Sequence, residues 1–304
     1  MNQDYRTVSV GVIGAGSMGQ HHARIMASLP GVRLVGVADA NAELGASIAG
    51  QYGARPYQDY RQLIGQVEAV TIAAPTGLHH SIGLECIGKG VHVLLEKPMA
   101  STSAQARELA DAAQRRGVVL QVGHIERFNP TFGEMANVLV KEKLLAIEAR
   151  RLSPYVERAA DTSAVLDLMV HDLDIVLKLA CSEVVHVQST GIQAKVPNLD
   201  HASAQLLFAS GVMANLTASK ISQQKVREIT AICQDGVVQA DLLARTVVVH
   251  REAISDYRAE REKVTYRQQG VVEQVYVPMV EPLYAELRSF VECVRTGQTP
   301  VVTA

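Results

Sequence analysis

The sequence predicts an α/β protein of two domains: a doubly wound parallel sheet, then an α+β domain built on a mainly antiparallel sheet. Three observations carry this. Up to about residue 123, short Val/Ile/Leu/Ala runs alternate with segments of helical period, the pattern of a parallel sheet covered on both faces. Beyond residue 124, strand-like runs succeed one another across turn signals such as Ser210-Gly211 and Asp235-Gly236, which suit antiparallel hairpins. The 304 residues also fit two domains of roughly 150 residues each, or one unusually large one.

In order, strands are expected at Val8–Ile13, Arg33–Ala38, Ala69–Ala74, Val91–Leu95 and Val118–Val122. Helices are expected between them at Met18–Leu29, Asn41–Tyr52, Leu78–Lys89 and Ser103–Arg116. The first helix sets Met18, His22, Ile25, Met26 and Leu29 on one side, close to a 3.6-residue repeat. Residues 1–123 thus form one domain and 124–304 another. The second domain opens on a helix, about Ser163–Ala180. Strands then follow at Val184–Gln193, Ala202–Phe208, Val212–Ser219, Val226–Cys233, Thr246–His250 and Val272–Val277. The charge-rich stretch Arg251–Gln269 reads as an exposed connection or edge strand, and a last helix, about Glu281–Arg295, can pack back on the first domain.

Composition removes several classes of function. With 29 Lys+Arg against 31 Asp+Glu, the net charge is −2, which lacks the broad basic footprint of a nucleic-acid binder. An apolar content of 48% speaks against disorder. Cys86, Cys181, Cys233 and Cys293 form no CxxC pair, so neither a zinc site nor a disulfide framework is expected. No apolar run approaches the roughly 18–20 residues of a membrane helix, and the short run after Asp4 and Arg6 is unlike a signal peptide. A soluble, cytoplasmic protein without a membrane or nucleic-acid partner is expected.

The first strand runs into Gly14-Ala15-Gly16-Ser17-Met18-Gly19, where a helix begins. Gly14 permits a tight turn, Gly16 lets the backbone approach a pyrophosphate, and Gly19 lets helix and strand pack closely. The helix start at Ser17 and Met18 then offers free N–H groups and a positive dipole end. Asp39 closes the next strand at the spacing of a ribose-binding carboxylate, which accepts both adenosine hydroxyls and repels a 2′-phosphate. NAD is therefore expected over NADP, the alternative being that Asp39 caps the helix near Asn41. Two more strand ends point to the same crevice: Ala74-Pro75-Thr76 with His79, and Glu96-Lys97-Pro98. Without the crevice, Glu96-Lys97 reads as an exposed loop ion pair.

Together with Asp167 and His171, these motifs resemble the glucose-fructose oxidoreductase/inositol dehydrogenase/MocA family over essentially the whole chain. The resemblance implies a Rossmann domain plus an open-faced antiparallel sheet carrying the substrate and an oligomer interface, hence a homodimer or homotetramer. It also implies that Glu96 and Pro98 shape the nicotinamide side and that Lys97 acts in catalysis. Within the family, Val122–Pro130 and Val165–Asp174 look most like sugar-nucleotide oxidoreductases of the UDP-N-acetylglucosamine 3-dehydrogenase type. Relatives usually continue past Gly297-Gln298-Thr299-Pro300 into a further helix, whereas this sequence ends at Ala304. Either the chain is trimmed or that packing element is absent.

The 163–180 helix adds its own signal. Leu166, Met169, Val170, Leu173, Val176, Leu177 and Ala180 form an apolar face, opposite a stripe of Asp167, His171, Asp174 and Lys178. Side chains four apart are neighbours, so Asp167 can orient the His171 ring as a general base. The stripe alone also fits a solvated face with an Asp174–Lys178 pair. A metal at His171-Asp172-x-Asp174 is not expected, because hydride transfer needs none. Oxidation of a ring secondary alcohol then has His171 taking the hydroxyl proton and Lys97, a poor base at its ordinary pKa, hydrogen-bonding the same oxygen. Arg127 is the preferred partner of a substrate pyrophosphate, ahead of Arg150, Arg151 and Arg158, which also fit solvated charges. The rival functions are an inositol or free-sugar dehydrogenase and a dinucleotide-binding regulatory protein without turnover.

Overall fold

Five short runs rich in aliphatic residues and a three-residue edge strand, Arg55–Tyr57, make the first sheet. The structure, a computed structural model, describes residues 6–156, 162–195, 197–260 and 263–304, with the backbone alone for 252–260 and 263–269. Strands β1 (Val8–Ile13), β2 (Val32–Ala38), β3 (Arg55–Tyr57), β4 (Ala69–Ile72), β5 (His92–Glu96) and β6 (Leu120–Gly123) pair in parallel in the order β3-β2-β1-β4-β5-β6. Helices α1 (Ser17–Ser28), α2 (Ala42–Gln51), α3 (Arg61–Ile64), α4 (Thr76–Gly88) and α5 (Ser103–Arg116) lie between successive strands. Strand order reverses between β1 and β4, and in such sheets ligands bind outside the strand ends at that switch point.

Capping sets several helix ends. Asn41 accepts the Leu44 N–H to start α2, Thr102 accepts that of Gln105 to start α5, and Gly117 in the left-handed region ends α5. Strand β3 and helix α3 go beyond the sequence expectation. The expected strand Ala69–Ala74 ends at Ile72, leaving Ala73 and Ala74 in the turn.

The chain divides into two compact units, Met1–Phe128 with Glu281–Ala304, and Asn129–Val280. The C-terminal helix α8 (Pro282–Thr296) belongs to the first unit. Its Leu287, Phe290 and Val291 join Ile25 and Met26 of α1 with Val8, Val10 and Leu94 of the sheet in one buried cluster. A residue of this unit, Gln121, also bridges Thr303 near the chain end.

The second unit begins with α6 (Pro130–Leu139), which Asn129 caps through the Thr131 N–H. Strand β7 (Leu144–Leu152), a π-helical turn at Val165–Met169 and α7 (Val170–Ala180) follow. Next come β8 (Val184–Ile192), β9 (His201–Phe208), β10 (Met213–Ser219), β11 (Val226–Cys233), β12 (Gly236–Asp241), β13 (Thr246–Glu260) and β14 (Lys263–Val275). The sheet order is β14-β13-β12-β11-β7-β10-β9-β8, antiparallel except for the β7–β10 pair. Of the stretch Arg251–Gln269, expected as a connection or edge strand, residues 251–260 and 263–269 lie in the paired strands β13 and β14, and β14 is an edge of the sheet.

Alternation assigns the faces of this sheet. Ile147, Ala149, Leu206, Ala214, Leu216, Ile229, Ala231 and Val249 are buried in one cluster with Phe132 and Met135 of α6 and Ile175 and Val176 of α7. Directly paired residues share a face, so Leu207, Met213, Ala146, Ile232, Val237, His250 and Val272 form a row across the other side. That row is mostly apolar, and Leu207, Met213 and Val272 are exposed.

Candidate cofactor and active site

The glycine turn after β1 is shaped by steric exclusion. Gly14 has φ 95°, and a Cβ there would come within 2.6 Å of the Ala73 carbonyl oxygen. A Cβ on Gly19 would stand 1.8 Å from the Gly14 oxygen, so only glycine lets α1 sit this close to the strand end. Gly16 is the opposite case, because a Cβ would meet nothing within 4 Å. No side chain caps α1, whose N-cap is Gly16 itself. Its first N–H groups, those of Ser17 and Met18, therefore stand available to an anion beside an open backbone surface. These residues fit a dinucleotide pyrophosphate.

A cleft of about 890 Å³ opens beside the turn, lined in part by Gly14, Gly16, Asp39, Ala74 and Pro75. Asp39 accepts the N–H of Ala15 at 2.6 Å through Oδ2 and that of Asn41 at 2.8 Å through Oδ1. The carboxylate thus ties the end of β2 to the glycine turn, and the helix cap is Asn41 instead. Thr76 opens α4 just after the wall residues Ala74 and Pro75. The sequence reading missed Tyr60 and Arg61, which also line the cleft. Tyr60 donates to Glu85 Oε2 at 2.6 Å, and burial with that bond pushes its hydroxyl up to about 12. Arg61 stacks on the Tyr60 ring and pairs with Glu85 at 3.1 Å and Asp59 at 3.5 Å, so its charge is already matched. A short helix such as α3 has no periodicity to betray it.

His79 lies beneath the cleft wall. It is buried, with Nε2 2.8 Å from the Ala74 oxygen and Nδ1 2.9 Å from the Pro98 oxygen. It joins the turns after β4 and β5, behind the wall where cofactor contact was expected. Glu96, the last residue of β5, is also buried, and its Oε2 accepts the Lys97 N–H at 3.2 Å. The Glu96 carboxylate thus turns inward, unlike the alternative of an exposed loop ion pair, and Lys97 is half-buried before the cis Pro98. Arg127 is half-buried in the 3-10 turn Ile125–Phe128.

In the second unit, Asp167 falls in the π-helical turn and His171 one residue into α7, both half-buried. The π turn inserts a residue relative to the expected continuous α-helix, and the apolar face shifts with it. Leu166 and Leu177, expected inside, are exposed, while Asp172 and Ile175 are buried. Asp172 Oδ1 accepts from Arg151 Nε at 2.9 Å and Nη2 at 2.7 Å, with both residues almost wholly buried. This pair fastens α7 to β7 next to His171. Arg151 and Asp172 are therefore structural, which removes Arg151 as a substrate cation and Asp172 as a metal ligand. Arg150 lies on the sheet's other face with Glu228 at 3.4 Å, and Arg158 lies outside the described residues. Among the described residues, no group of three or more His, Cys, Asp or Glu is placed to hold a metal ion, and no helix is long and apolar enough to cross a membrane.

Comparison with known proteins agrees with this construction. Residues 8–124 match the family described as oxidoreductase family, NAD-binding Rossmann fold, and residues 138–239 match the GFO/IDH/MocA C-terminal domain. The chain is 35% identical over 244 residues to UDP-N-acetylglucosamine 3-dehydrogenase of Acidithiobacillus ferrooxidans, covering 80% of this chain and 77% of that one. It is 30% identical over 267 residues to inositol 2-dehydrogenase of Rubrobacter xylanophilus, covering 82% and 75%. A solved structure of the Acidithiobacillus ferrooxidans enzyme GnnA superposes with a TM-score of 0.88 at 30% identity, over 98% of this chain and 92% of that one. GenD2 from gentamicin A biosynthesis, solved with NAD, shares the fold at a TM-score of 0.82 and 23% identity, over 99% and 90% of the two chains. With a glycine turn built for a dinucleotide and both domain models matched, the chain is an NAD-binding oxidoreductase and belongs to the GFO/IDH/MocA family.

Proposed function

We propose that the protein oxidises a ring secondary hydroxyl of a sugar nucleotide, the 3-hydroxyl of UDP-N-acetylglucosamine, to a keto sugar. The observation that carries the substrate class is the 35% identity, through most of both chains, to a UDP-N-acetylglucosamine 3-dehydrogenase. NAD, when bound, would supply the hydride acceptor. Gly14, Gly16, Ser17, Met18 and Gly19 would hold its pyrophosphate, and Asp39 would accept its ribose hydroxyls. His171 takes the hydroxyl proton, oriented by Asp167 one helical turn earlier. Lys97 donates a hydrogen bond to the same oxygen, which stabilises the charge that grows on it as the proton leaves. Arg127 pairs with the substrate pyrophosphate.

The similarity to an inositol 2-dehydrogenase supports a second reading, oxidation of an inositol or free sugar by the same residues. A screen of UDP-sugars, free sugars and inositols for NADH formation separates the two. Turnover only with diphosphate-bearing sugars supports the sugar-nucleotide reading, and turnover only with inositols overturns it.

A further inference from the structure

Beneath the turn that carries Lys97 lies a cluster of buried polar side chains that the proposed chemistry does not use. Glu96 Oε1 is 3.0 Å from His22 Nε2 on α1, while Oε2 accepts the Lys97 N–H. His22 is completely buried, and its Nδ1 meets no protein partner. Glu286 on α8 is also completely buried, within reach of the Glu96 charge, and neither of its carboxyl oxygens meets a protein donor. It sits in the apolar stripe of Leu283, Leu287 and Phe290, where a carboxyl group has no packing advantage. Among the described residues, α8 packs chiefly on α1, the 3-10 turn and β1, with Leu94 of β5 in the same cluster. Their titratable and charged residues are His21, His22 and Arg24, then Glu126 and Arg127, none from β1, and His92 and Glu96 on β5. Arg24 is engaged with Glu281 at the surface.

We propose that Glu286 and His22 are positioning residues for Lys97, acting through the Glu96 carboxylate. The proposal rests on the reading of Lys97 as the group that touches the reacting oxygen. His22 holds one oxygen of Glu96 and the Lys97 N–H the other, so the carboxylate fixes where the chain leaves β5 and where the ammonium side chain starts. Glu286 closes the cluster as a neutral acid. Burial and the neighbouring Glu96 hold its carboxyl well above the usual carboxylate range. Neutral, it adds no charge to the field around Glu96. Ionised, it sets a second negative charge against Glu96 in a dry interior and drives that carboxylate off its donors. The sign follows from the raised folded-state pKa. The stability of this cluster is full below the unfolded carboxylate value and is lost as pH rises through the folded one. Turnover therefore falls on the alkaline side for this reason.

The test compares the full-length wild type with Glu286→Gln, a neutral isostere, and His22→Gln. Carbon NMR of protein labelled at the glutamate carboxyl carbon identifies the Glu286 resonance by its loss in Glu286→Gln. At neutral pH that resonance is expected at the position of a protonated acid. Glu286→Gln is expected to keep kcat within about twofold at neutral pH and to move the alkaline fall upward by about one pH unit or more. His22→Gln is expected to lower kcat about tenfold while NAD affinity changes less than about threefold, and to change the rate of reductive methylation at Lys97. An ionised Glu286 at neutral pH overturns the proposal, as does an alkaline limb identical in wild type and Glu286→Gln. So does a His22→Gln protein with wild-type kcat and wild-type Lys97 methylation. The NMR and methylation results stand without turnover, so a wild type inactive on every substrate counts against the dehydrogenase reading alone. If Glu286→Gln does not fold, His22→Gln and its Lys97 methylation decide the matter.

Discussion

Gly16→Ala and Gly19→Ala separate cofactor binding from folding within a single turn. At Gly19 the new methyl carbon would stand 1.8 Å from the Gly14 oxygen and 2.7 Å from its carbonyl carbon. Gly14 cannot give way, because its N–H is bonded to the Ala38 oxygen at 2.8 Å and its own Cβ position is closed by Ala73. Helix α1 must therefore retreat by more than about 1 Å to restore ordinary contact distances. Overpacking of this severity falls at the upper end of the usual range, about 3 kcal/mol. In a unit of this size that lowers the unfolding midpoint by roughly 6–12 °C. The displaced helix start also weakens NAD binding about tenfold or more, because its N–H groups move out of hydrogen-bond reach of the pyrophosphate. At Gly16 the methyl group meets no protein atom and φ is an ordinary −65°, so stability changes by less than about 1 kcal/mol. Yet the methyl occupies the surface the pyrophosphate must approach, so NAD affinity falls about tenfold or more. Calorimetric melting with NAD titration of both variants checks this. Wild-type NAD affinity in Gly16→Ala refutes the pyrophosphate site, and an unchanged melting point in Gly19→Ala refutes the packing.

Asp39→Ser removes the acceptor of two backbone N–H groups and the negative charge at the cleft; NAD affinity should fall about tenfold and the preference over NADP should narrow. Titration with both cofactors decides it, and an equal loss for the two contradicts a ribose role. Arg151→Met leaves Asp172 buried without its guanidinium and should cost about 3–5 kcal/mol in denaturant unfolding, with Arg151→Met/Asp172→Leu recovering part of that loss. No recovery in the double variant contradicts an ion-pair origin. The apolar row on the open side of the second sheet should be covered by another copy of the chain. Sedimentation at micromolar concentration should then give a dimer or tetramer for the wild type and a monomer for Met213→Glu, whereas a monomeric wild type contradicts the association.

The glycine turn was legible because each glycine's constraint is local: Gly14 and Gly19 are excluded from other residue types by backbone atoms a few residues away or on the adjacent strand end. Strand β7 was not legible. Its Glu148, Arg150 and Arg151 look like solvated charge, and Arg151 is buried only because Asp172, from a helix 21 residues on, meets it. Strand β12, Gly236–Asp241, is hidden in the sequence because it begins inside the turn signal Asp235-Gly236. The helix carrying His171 was expected, but the π turn was not, so the expected apolar face lost Leu166 and Leu177 to solvent. Glu286 did leave a trace in the sequence, a lone acid in the stripe of Leu283, Leu287 and Phe290. Its meaning depends on the buried His22–Glu96 pair, whose charge only the fold brings within reach of it.

On the proposed chemistry, this cofactor-binding scaffold oxidises the hydroxyl of a nucleotide-bound sugar with Lys97 at the reacting oxygen. Its most direct test is NADH formation in a single turnover of wild type and Lys97→Ala with UDP-N-acetylglucosamine and NAD. Wild type should form NADH and a keto sugar in equal amounts, and Lys97→Ala should bind NAD normally but react about 100-fold or more slowly. Wild-type rates in Lys97→Ala, or a wild type that binds NAD and the sugar nucleotide yet forms no NADH, would contradict it.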